Sequence, residues 1–216
     1  MSEKFAVSGQ HYLFDVQAFA HTILALGGEE YSYALRDRTT RGVIADVVQG
    51  ASEVGVLMRN TKTQADVDRE IEAAGLEFVE LAKSAPRVAL PASHPLSNAT
   101  SLRPEELADW PYLYFEQEED APAYLAEEAL SDLPHAKSIA LTDRASLSEL
   151  AVAMNGYTFT SGILVGITDG GSLTTIPLEC DVELSLGYVA RKGEELSPIA
   201  KRFVEKLQRS LGLYAK

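Results

Sequence analysis

The stretch Arg87-Val-Ala-Leu-Pro-Ala-Ser-His-Pro-Leu96, near the middle of the chain, decides the fold. Residues 87–91 form an apolar, strand-forming run that leads into a polar loop bracketed by two prolines. Residues 102–107 predict a short capped helix after this loop, and residues 112–115 predict a second apolar strand. Strands and helices also alternate on both sides of the stretch. We therefore interpret it as the place where the chain passes from one half of an α/β protein to the other.

Composition sets the broad class of the protein. The 216 residues are enough for one large domain or for two lobes. The formal net charge of -13 argues against nucleic-acid binding by this chain alone, because phosphate contacts need a basic face. The chain has one cysteine, Cys180, which we interpret as a small apolar residue, and no disulfide can form within it. Without a secretory signal or an apolar run of about 20 residues, the sequence predicts a cytoplasmic protein with no membrane contact.

The first half of the chain predicts three strand–helix units. The expected strands lie at residues 5–7, 31–35 and 54–58. The third strand is continuously apolar, which is typical of a strand covered on both faces. The second helix is expected to bury Val43, Ile44, Val47 and Val48. Three such units in succession predict a parallel, right-handed α/β lobe.

The second half repeats this alternation. Strands are expected at residues 112–115, 138–141, 157–160, 173–177 and 184–191, and helices at 121–130 and 146–154. A closing helix begins at Leu196-Ser-Pro198, with Ser197 as its N-cap. Crossings near residues 83–86 and 179–181 predict a lobe I of residues 1–83 and 182–216, and a lobe II of residues 84–181.

Acidic residues gather around the helix predicted at 121–130. They are Glu118, Glu119, Asp120, Glu127 and Glu128. Runs of this kind usually lie on a solvated face, so we predict that these carboxylates are on the surface.

Several short motifs together resemble one known family. They are Gln49-Gly50, Glu53-Val-Gly-Val56, Ser93-His-Pro-Leu96, Leu102-Arg-Pro-Glu-Glu-Leu107 before Trp110-Pro111, Asp143-Arg-Ala-Ser-Leu147 and Leu196-Ser-Pro198. In this order they resemble the effector-binding, or substrate-binding, regulatory domain of LysR-type transcriptional regulators. Glu53 stands where the family carries Asp, and Asn155-Gly156 departs from the family's glycine pattern. The resemblance implies an α/β fold of two Rossmann-like lobes joined by a two-stranded hinge, as in type II periplasmic binding proteins.

The resemblance also implies a function. The domain would sense a small-molecule effector in the cleft between the lobes, without a cofactor, and would form a homodimer. Helix 41–49 would then face the partner's second lobe near residues 121–130. DNA would be contacted only through an N-terminal winged helix-turn-helix, which this chain lacks, so the chain is either an excised regulatory domain, which we favour, or a natural stand-alone protein.

Candidate ligand contacts come from strand ends and helix starts. Ligands of α/β sheets bind beyond the carboxyl ends of the strands, and helix N-termini and arginines attract anions. These considerations predict an anionic effector, such as a carboxylate. The candidate ligand-binding residues are Ser8, Gly9, Gln10, His11, Arg38, Thr39, Thr40, Arg59, Ser93, Glu116, Gln117, Asp143, Arg144 and Thr160. Two alternatives stay open at this point: the arginines pair with Asp37, Glu53 and Asp143 on the surface, and His11 has a capping or packing role.

Other functions are weighed against this one. The histidines are too far apart in sequence to suggest a metal site, and the glycine-rich residues 169–172 lack the following helix of a phosphate loop. No strand end offers a convincing acid–base pair, so we predict that the chain is not an enzyme. The main rival is a stand-alone solute-binding protein of a transport system. A domain that dimerises and has lost its ligand is a further possibility.

Overall fold

The computed structural model describes residues 4–27, 29–163 and 172–214, so residues 169–171 of the glycine-rich segment lie outside it. The strands are β1 (Lys4–Gly9), β2 (Ser32–Asp37), β3 (Val54–Asn60), β4 (Leu76–Ser84), β5 (Arg87–Pro91), β6 (Tyr112–Phe115), β7 (Ser138–Leu141), β8 (Thr158–Thr160), β9 (Leu173–Pro177) and β10 (Leu184–Arg191). The helices are α1 (Leu13–Leu26), α2 (Thr40–Val48), α3 (Gln64–Ala73), α4 (Arg144–Met154) and α5 (Pro198–Tyr214). Short 3₁₀ turns lie at Pro104–Leu107 and Ala123–Leu125.

The first lobe is built on a five-stranded sheet in the order β2-β1-β3-β10-β4. Strands β1, β2 and β3 are parallel, whereas β10 is antiparallel to both of its neighbours. The three strands of the predicted strand–helix units are therefore parallel, as expected. The sheet as a whole is mixed, because β10 is supplied by the far end of the chain, which returns from the second lobe and runs against the strands it joins.

Helices cover both faces of this sheet, as the apolar character of β3 predicts. Val43 and Val47 of α2 pack with Leu57 on one face, while Phe14 of α1 and Phe203 of α5 lie in the core on the other. Val48, predicted to be buried with them, is 43% exposed. One residue beyond Val47 is a rotation of about 100° around the helix, which carries Val48 off the buried face.

The second lobe repeats the strand order of the first. Its strands form a sheet β8-β5-β9 and a pair β6-β7, which a parallel bridge between Tyr112 and Tyr157 connects. Read through that bridge, the order β7-β6-β8-β5-β9 matches β2-β1-β3-β10-β4, and β5, like β10, is antiparallel to both neighbours. This pairing of two similar mixed sheets is the fold of type II periplasmic binding proteins.

Two neighbouring connections join the lobes. Strand β4 continues into β5 through Ala85 and Pro86, and β9 leads back to β10 through residues 178–183. On either side of the crossing, Leu184 is paired with Ser84 and Arg87 with Pro177. The predicted division of the chain at 83/84 and 181/182 stays a proposal. Lobe I denotes residues 1–83 and 182–216, and lobe II denotes residues 84–181.

The closing helix begins as predicted. The Ser197 hydroxyl oxygen accepts a hydrogen bond from the backbone N–H of Ala200 at 3.2 Å, which is the expected N-cap contact. The Glu53 carboxylate in turn accepts hydrogen bonds from the backbone N–H and the hydroxyl of Ser197 at 2.6 and 2.8 Å. Glu53 therefore fixes the start of α5 against the start of β3.

The largest error of the sequence analysis concerns residues 121–130. Instead of a helix, this segment contains the 3₁₀ turn Ala123–Leu125, and Leu130 has a φ of 61°. Glu127 and Glu128, predicted to be solvated, are each only 4% exposed. Their carboxylates accept hydrogen bonds from backbone N–H groups of His11 and Phe115, and those contacts turn the chain inward where a helix would have kept both side chains outside.

Candidate functional site

A cavity of about 100 Å³ lies between the lobes. It is lined from lobe I by His11, Tyr12, Leu13 and Met58, and from lobe II by Ala89, Phe115, Glu127, Glu128, Arg144, Leu147, Ser148, Thr158, Phe159, Thr160, Ser161, Ile163 and Leu173. Ligand sites usually measure about 300–1,000 Å³. The lobes are thus drawn together around a space smaller than a typical ligand needs.

The strand topology explains why the cavity lies where it does. His11 follows the end of β1, Met58 lies in β3, Phe115 ends β6 and Thr160 ends β8. The carboxyl ends of these strands from both sheets face the same space, which is where α/β folds place their ligands.

One buried pair bridges the cavity. Glu127 of lobe II accepts hydrogen bonds from the backbone N–H of His11 at 2.8 Å and meets its ring nitrogen Nδ1 at 2.9 Å. The two side chains are only 5% and 3% exposed. The His11 ring also stacks on Phe115, with ring centroids 3.9 Å apart and an angle of 10° between the planes. A single lobe I side chain is therefore held by two lobe II residues.

Burial and charge act against each other in this pair. Burial on its own lowers the pKa of His11, but the hydrogen bond and the negative charge of Glu127 outweigh it, and the pKa is raised. Burial raises the pKa of Glu127, and His11 only partly reverses that shift. Both groups consequently hold their protons more firmly than they would in water.

Arg144 makes the second side-chain contact between the lobes. It is the first residue of α4, whose N-cap Asp143 accepts a hydrogen bond from the backbone N–H of Ser146 at 2.8 Å. Its guanidinium donates to the backbone oxygen of Tyr12 at 2.8 Å and pairs with Asp37 at 3.0 Å. Both partners belong to lobe I, so Arg144 links the lobes as His11 and Glu127 do.

Further contacts come from residues 116–132, which we name the acidic strap because it holds seven acidic and no basic residues. At the rim of the cleft its side chains meet lobe I. The contacts are Glu118 with Thr39, Asp120 with Arg41, Tyr124 with Glu70 and Asp132 with Lys62. The strap thus packs along the lobe I surface of its own chain.

Two more carboxyl groups are buried near the cavity. Glu128 accepts a hydrogen bond from the backbone N–H of Phe115 at 2.7 Å. Asp15, in the first turn of α1, accepts one from Val16 at 2.6 Å, while its second oxygen Oδ2 has no partner among the described residues. Burial raises the pKa of both carboxyls well above the ordinary range. Burial therefore favours the protonated form of each group over its ionised form.

Three of the predicted ligand-binding residues line the cavity: His11, Arg144 and Thr160. Gln10, by contrast, is fully buried; its amide donates to the Thr40 hydroxyl at 2.5 Å and accepts from the backbone of Met58 at 2.7 Å. Ser8 donates to Asp46 at 2.6 Å inside lobe I. A side chain at Gly9 would collide with Asp15, since its Cβ would lie 2.0 Å from the carboxylate.

The remaining predicted residues lie outside the cavity lining. Arg38 pairs with Asp46 at 3.0 Å, and Arg59 pairs with Asp68 while its guanidinium lies 4.1 Å from the centre of the Phe78 ring. The others are Thr39, Thr40, Ser93, Glu116, Gln117 and Asp143. Ligand contact by the predicted residues stays a prediction.

Sequence reasoning missed the two buried glutamates that line the cavity, Glu127 and Glu128. A signal was present, because Leu125-Ala-Glu-Glu-Ala-Leu130 frames the acidic pair symmetrically with apolar residues. A solvated segment does not need such a frame. Phe115 was expected both in the core strand and in a second-lobe turn that closes over the ligand, and its ring forms a wall of the cavity.

The chain matches the family model of the LysR substrate binding domain over residues 32–212. It belongs to this family. LysR substrate-binding domains are regulatory ligand-binding domains of transcription regulators. No curated protein matches the chain.

Solved structures agree with this assignment. The reduced OxyR regulatory domain from Pseudomonas aeruginosa superposes with a TM-score of 0.67 at 11% identity, covering 96% of this chain and 95% of that one. HinK, a LysR family regulator from the same organism, gives 0.63 at 14% identity, covering 98% and 70%. The effector-binding domain of QuiR in complex with shikimate gives 0.62 at 12% identity, covering 97% of both chains. At these identities the likeness shows the fold of the LysR substrate-binding domain.

Within the described parts of the chain, no helix has the length and apolar character needed to span a bilayer.

Proposed function

We propose that this LysR substrate-binding domain senses a small-molecule effector in the cavity between its lobes. The observation that carries the proposal is the set of contacts across that cavity: His11 with Glu127, and Arg144 with Tyr12 and Asp37. Each contact joins one lobe to the other next to the space that a ligand would fill. A ligand that replaces any of them changes the free energy of closing the lobes.

The small size of the cavity indicates how the lobes must move when a ligand binds. At about 100 Å³ the closed cavity is too small for a typical effector. The lobes must therefore separate or rotate to admit the ligand, with the two hinge connections as pivots. The ligand can shift the balance between the two arrangements only by its difference in affinity for them.

The domain would pass this change on as a homodimer, with DNA bound by a separate DNA-binding domain. The contact between helix 41–49 and residues 121–130 of the partner stays a prediction, although residues 121–130 also pack on lobe I of their own chain. The exposed large apolar side chains are further candidates for the dimer contact: Leu24, Tyr31 and Val48 on lobe I, and Val152 and Met154 on lobe II. A contact between unlike lobes of two copies would bury both groups.

The sequence predicts an anionic effector, and QuiR was solved with shikimate, which is a carboxylate. In this chain, however, Arg38, Arg59 and Arg144 are each already paired with a carboxylate. The anionic class remains a prediction, and a ligand screen should include carboxylates for that reason.

The test is a thermal-shift screen of metabolites followed by calorimetry. An effector present at 100 times its Kd should stabilise the domain by about 2.7 kcal/mol. Arg144→Ala, which removes a connection at the cavity, should change the affinity at least several-fold. Arg69→Ala is the matched control, since it removes an exposed arginine of α3 that pairs with Asp66 and does not line the cavity. If no metabolite of a broad screen stabilises the protein, the sensor function is wrong, and a domain that only dimerises is favoured.

A further inference from the structure

The charges around the cavity do not balance. Arg144 is paired with Asp37, and His11 with Glu127. Once these pairs are set aside, two buried carboxyl groups are left without a cation, Glu128 and Asp15. Both are at most 4% exposed. Ionising a buried carboxyl group without a countercharge costs free energy, so each of these groups favours its protonated form until a cation comes close.

We propose that the effector carries a protonated amine on an apolar body, and that the amine binds Glu128 beside Glu127. This inference rests on the proposed sensor function and names the chemical class of the ligand. Both carboxyls line the cavity. An ammonium group has three donors and can satisfy two neighbouring carboxylates at once.

The walls of the cavity favour an organic cation over a metal ion. Within the described residues, no group of three or more His, Cys, Asp and Glu side chains could hold a metal. The surface beside the two glutamates is instead apolar. Its residues include Phe115, Leu147, Phe159, Ile163 and Leu173. Such walls suit an aliphatic or aromatic body attached to the amine.

The charge of the whole chain provides a second indication. Asp15 is not counted here, because it does not line the cavity and its Oδ2 lies against Gly9 inside lobe I. The net charge of -13 on the whole chain would draw cations toward the cleft and repel anions.

The proposal predicts that protons are released when the amine binds, and this release can be measured. Burial, and then the charge of Glu127, raises the pKa of Glu128, so the protonated form of this carboxyl is favoured before the ligand arrives. The amine enters already protonated and keeps its proton. Glu128 then loses its own proton to solvent and forms an ion pair with the ammonium group. Binding of the amine at neutral pH should therefore release up to one proton.

The experiment uses three ligands of similar shape: benzylamine, benzyl alcohol and benzoate. Phenethylamine and phenylacetate extend the set by one carbon. Binding to the full chain is measured by calorimetry at pH 7 in two buffers that differ in heat of ionisation, which gives the number of protons released. We expect the amines to bind at least ten-fold more tightly than the alcohol and the carboxylates, with a measurable release of up to one proton.

Two variants test whether Glu128 is the residue that binds the amine and releases the proton. Glu128→Gln keeps a hydrogen-bond acceptor for Phe115 but cannot ionise, so amine affinity should fall at least ten-fold and proton release should vanish. Glu119→Gln removes an exposed carboxylate of the same acidic strap and should bind like the wild type. Proton release by the wild type is an additional measurement that does not depend on the folding of any variant.

The outcomes separate this inference from the sensor function itself. Tighter binding of the carboxylates, or equal binding of amines to wild type and Glu128→Gln, overturns the amine class and leaves the sensor standing. Absence of amine binding while the wider screen finds a neutral or anionic effector does the same. If neither these ligands nor the wider screen yields any binding, the sensor function fails as well.

Discussion

The two lobes share one strand order but differ in the first connection of each sheet. In lobe I the connection from β1 to β2 is the 14-residue helix α1, which packs on its own sheet and on α5. In lobe II the corresponding connection, from β6 to β7, contains the acidic strap and no helix longer than a 3₁₀ turn. One connection stabilises the lobe to which it belongs, whereas the other reaches across to the opposite lobe.

This difference shows how one topology can be used in two ways. The buried face of α1 includes Phe14, Ala18 and Phe19, which stabilise a core. The buried side chains of the strap include Glu127 and Glu128, which bind backbone N–H groups at the cleft. We infer that lobe I is the more rigid body and that the strap governs closure.

The largest effect is expected from damage to the lobe I core. Phe203→Ala removes a fully buried ring of α5 that packs against Phe5 and Phe19 of lobe I. It should lower the free energy of unfolding by about 3–5 kcal/mol, measured by urea denaturation. A loss below about 1 kcal/mol would show that α1 and α5 do not form the main core.

A smaller loss of stability is expected when a buried carboxylate of the acidic strap is removed. Glu127→Ala leaves the backbone N–H and the ring of His11 without their partner, which should cost about 1–3 kcal/mol. Glu119→Ala, an exposed acid of the same segment, should stay within about 0.5 kcal/mol of the wild type. Equal stabilities for the two variants would contradict the bridging role of Glu127.

The strap also predicts the pH dependence of stability. The pKa values of Glu127, Glu128 and Asp15 are raised in the folded state, and so is that of His11. Each group then binds more protons folded than unfolded, so stability falls as the pH rises above the unfolded values, by about 1.4 kcal/mol per pH unit for each proton of difference. Burial lowers the pKa of His94 and of His135, which opposes this trend between pH 5 and pH 8. The test is therefore the difference between two proteins: the melting temperature of the wild type relative to that of Glu128→Gln should decrease from pH 5 to pH 8. A difference that stays constant or increases over this range would refute the prediction.

The smallest effect is expected at the rim of the cleft. Arg41 pairs with Asp120 at 2.9 Å, but the two side chains are 39% and 84% exposed. Exposed ion pairs contribute between about 0 and 1 kcal/mol, so Arg41→Ala should barely change the unfolding midpoint. A loss as large as that of Glu127→Ala would place the closing contacts at the rim and not at the cavity.

Much of the fold could be predicted from local sequence. The apolar run of β3 and the Ser197 N-cap of α5 are short-range patterns, and each strongly favours one local structure. The end of α3 is another, because Gly75 there has a φ of 73° that favours glycine. The reversed direction of β10 could not be seen in this way, since it depends on where a distant segment joins the sheet.

The site was predicted only in part for the same reason. His11, Arg144 and Thr160 lie at strand ends or helix starts, which local patterns locate. Glu127 and Glu128 belong to a segment whose acidic composition suggested a surface helix. Their burial is decided by backbone donors at His11 and Phe115, and His11 is more than 100 residues away in the sequence.

The most direct test of the account is the distance between the lobes. Spin labels at Glu72→Cys in α3 and Glu149→Cys in α4, on a Cys180→Ser background, report it by pulsed electron paramagnetic resonance; both sites are exposed. With Glu127 intact we predict one narrow distance distribution, and with Glu127→Ala a broader one that includes other separations, while Glu119→Ala leaves it unchanged. Identical distributions in all three proteins would contradict the claim that the His11–Glu127 contact holds the lobes closed.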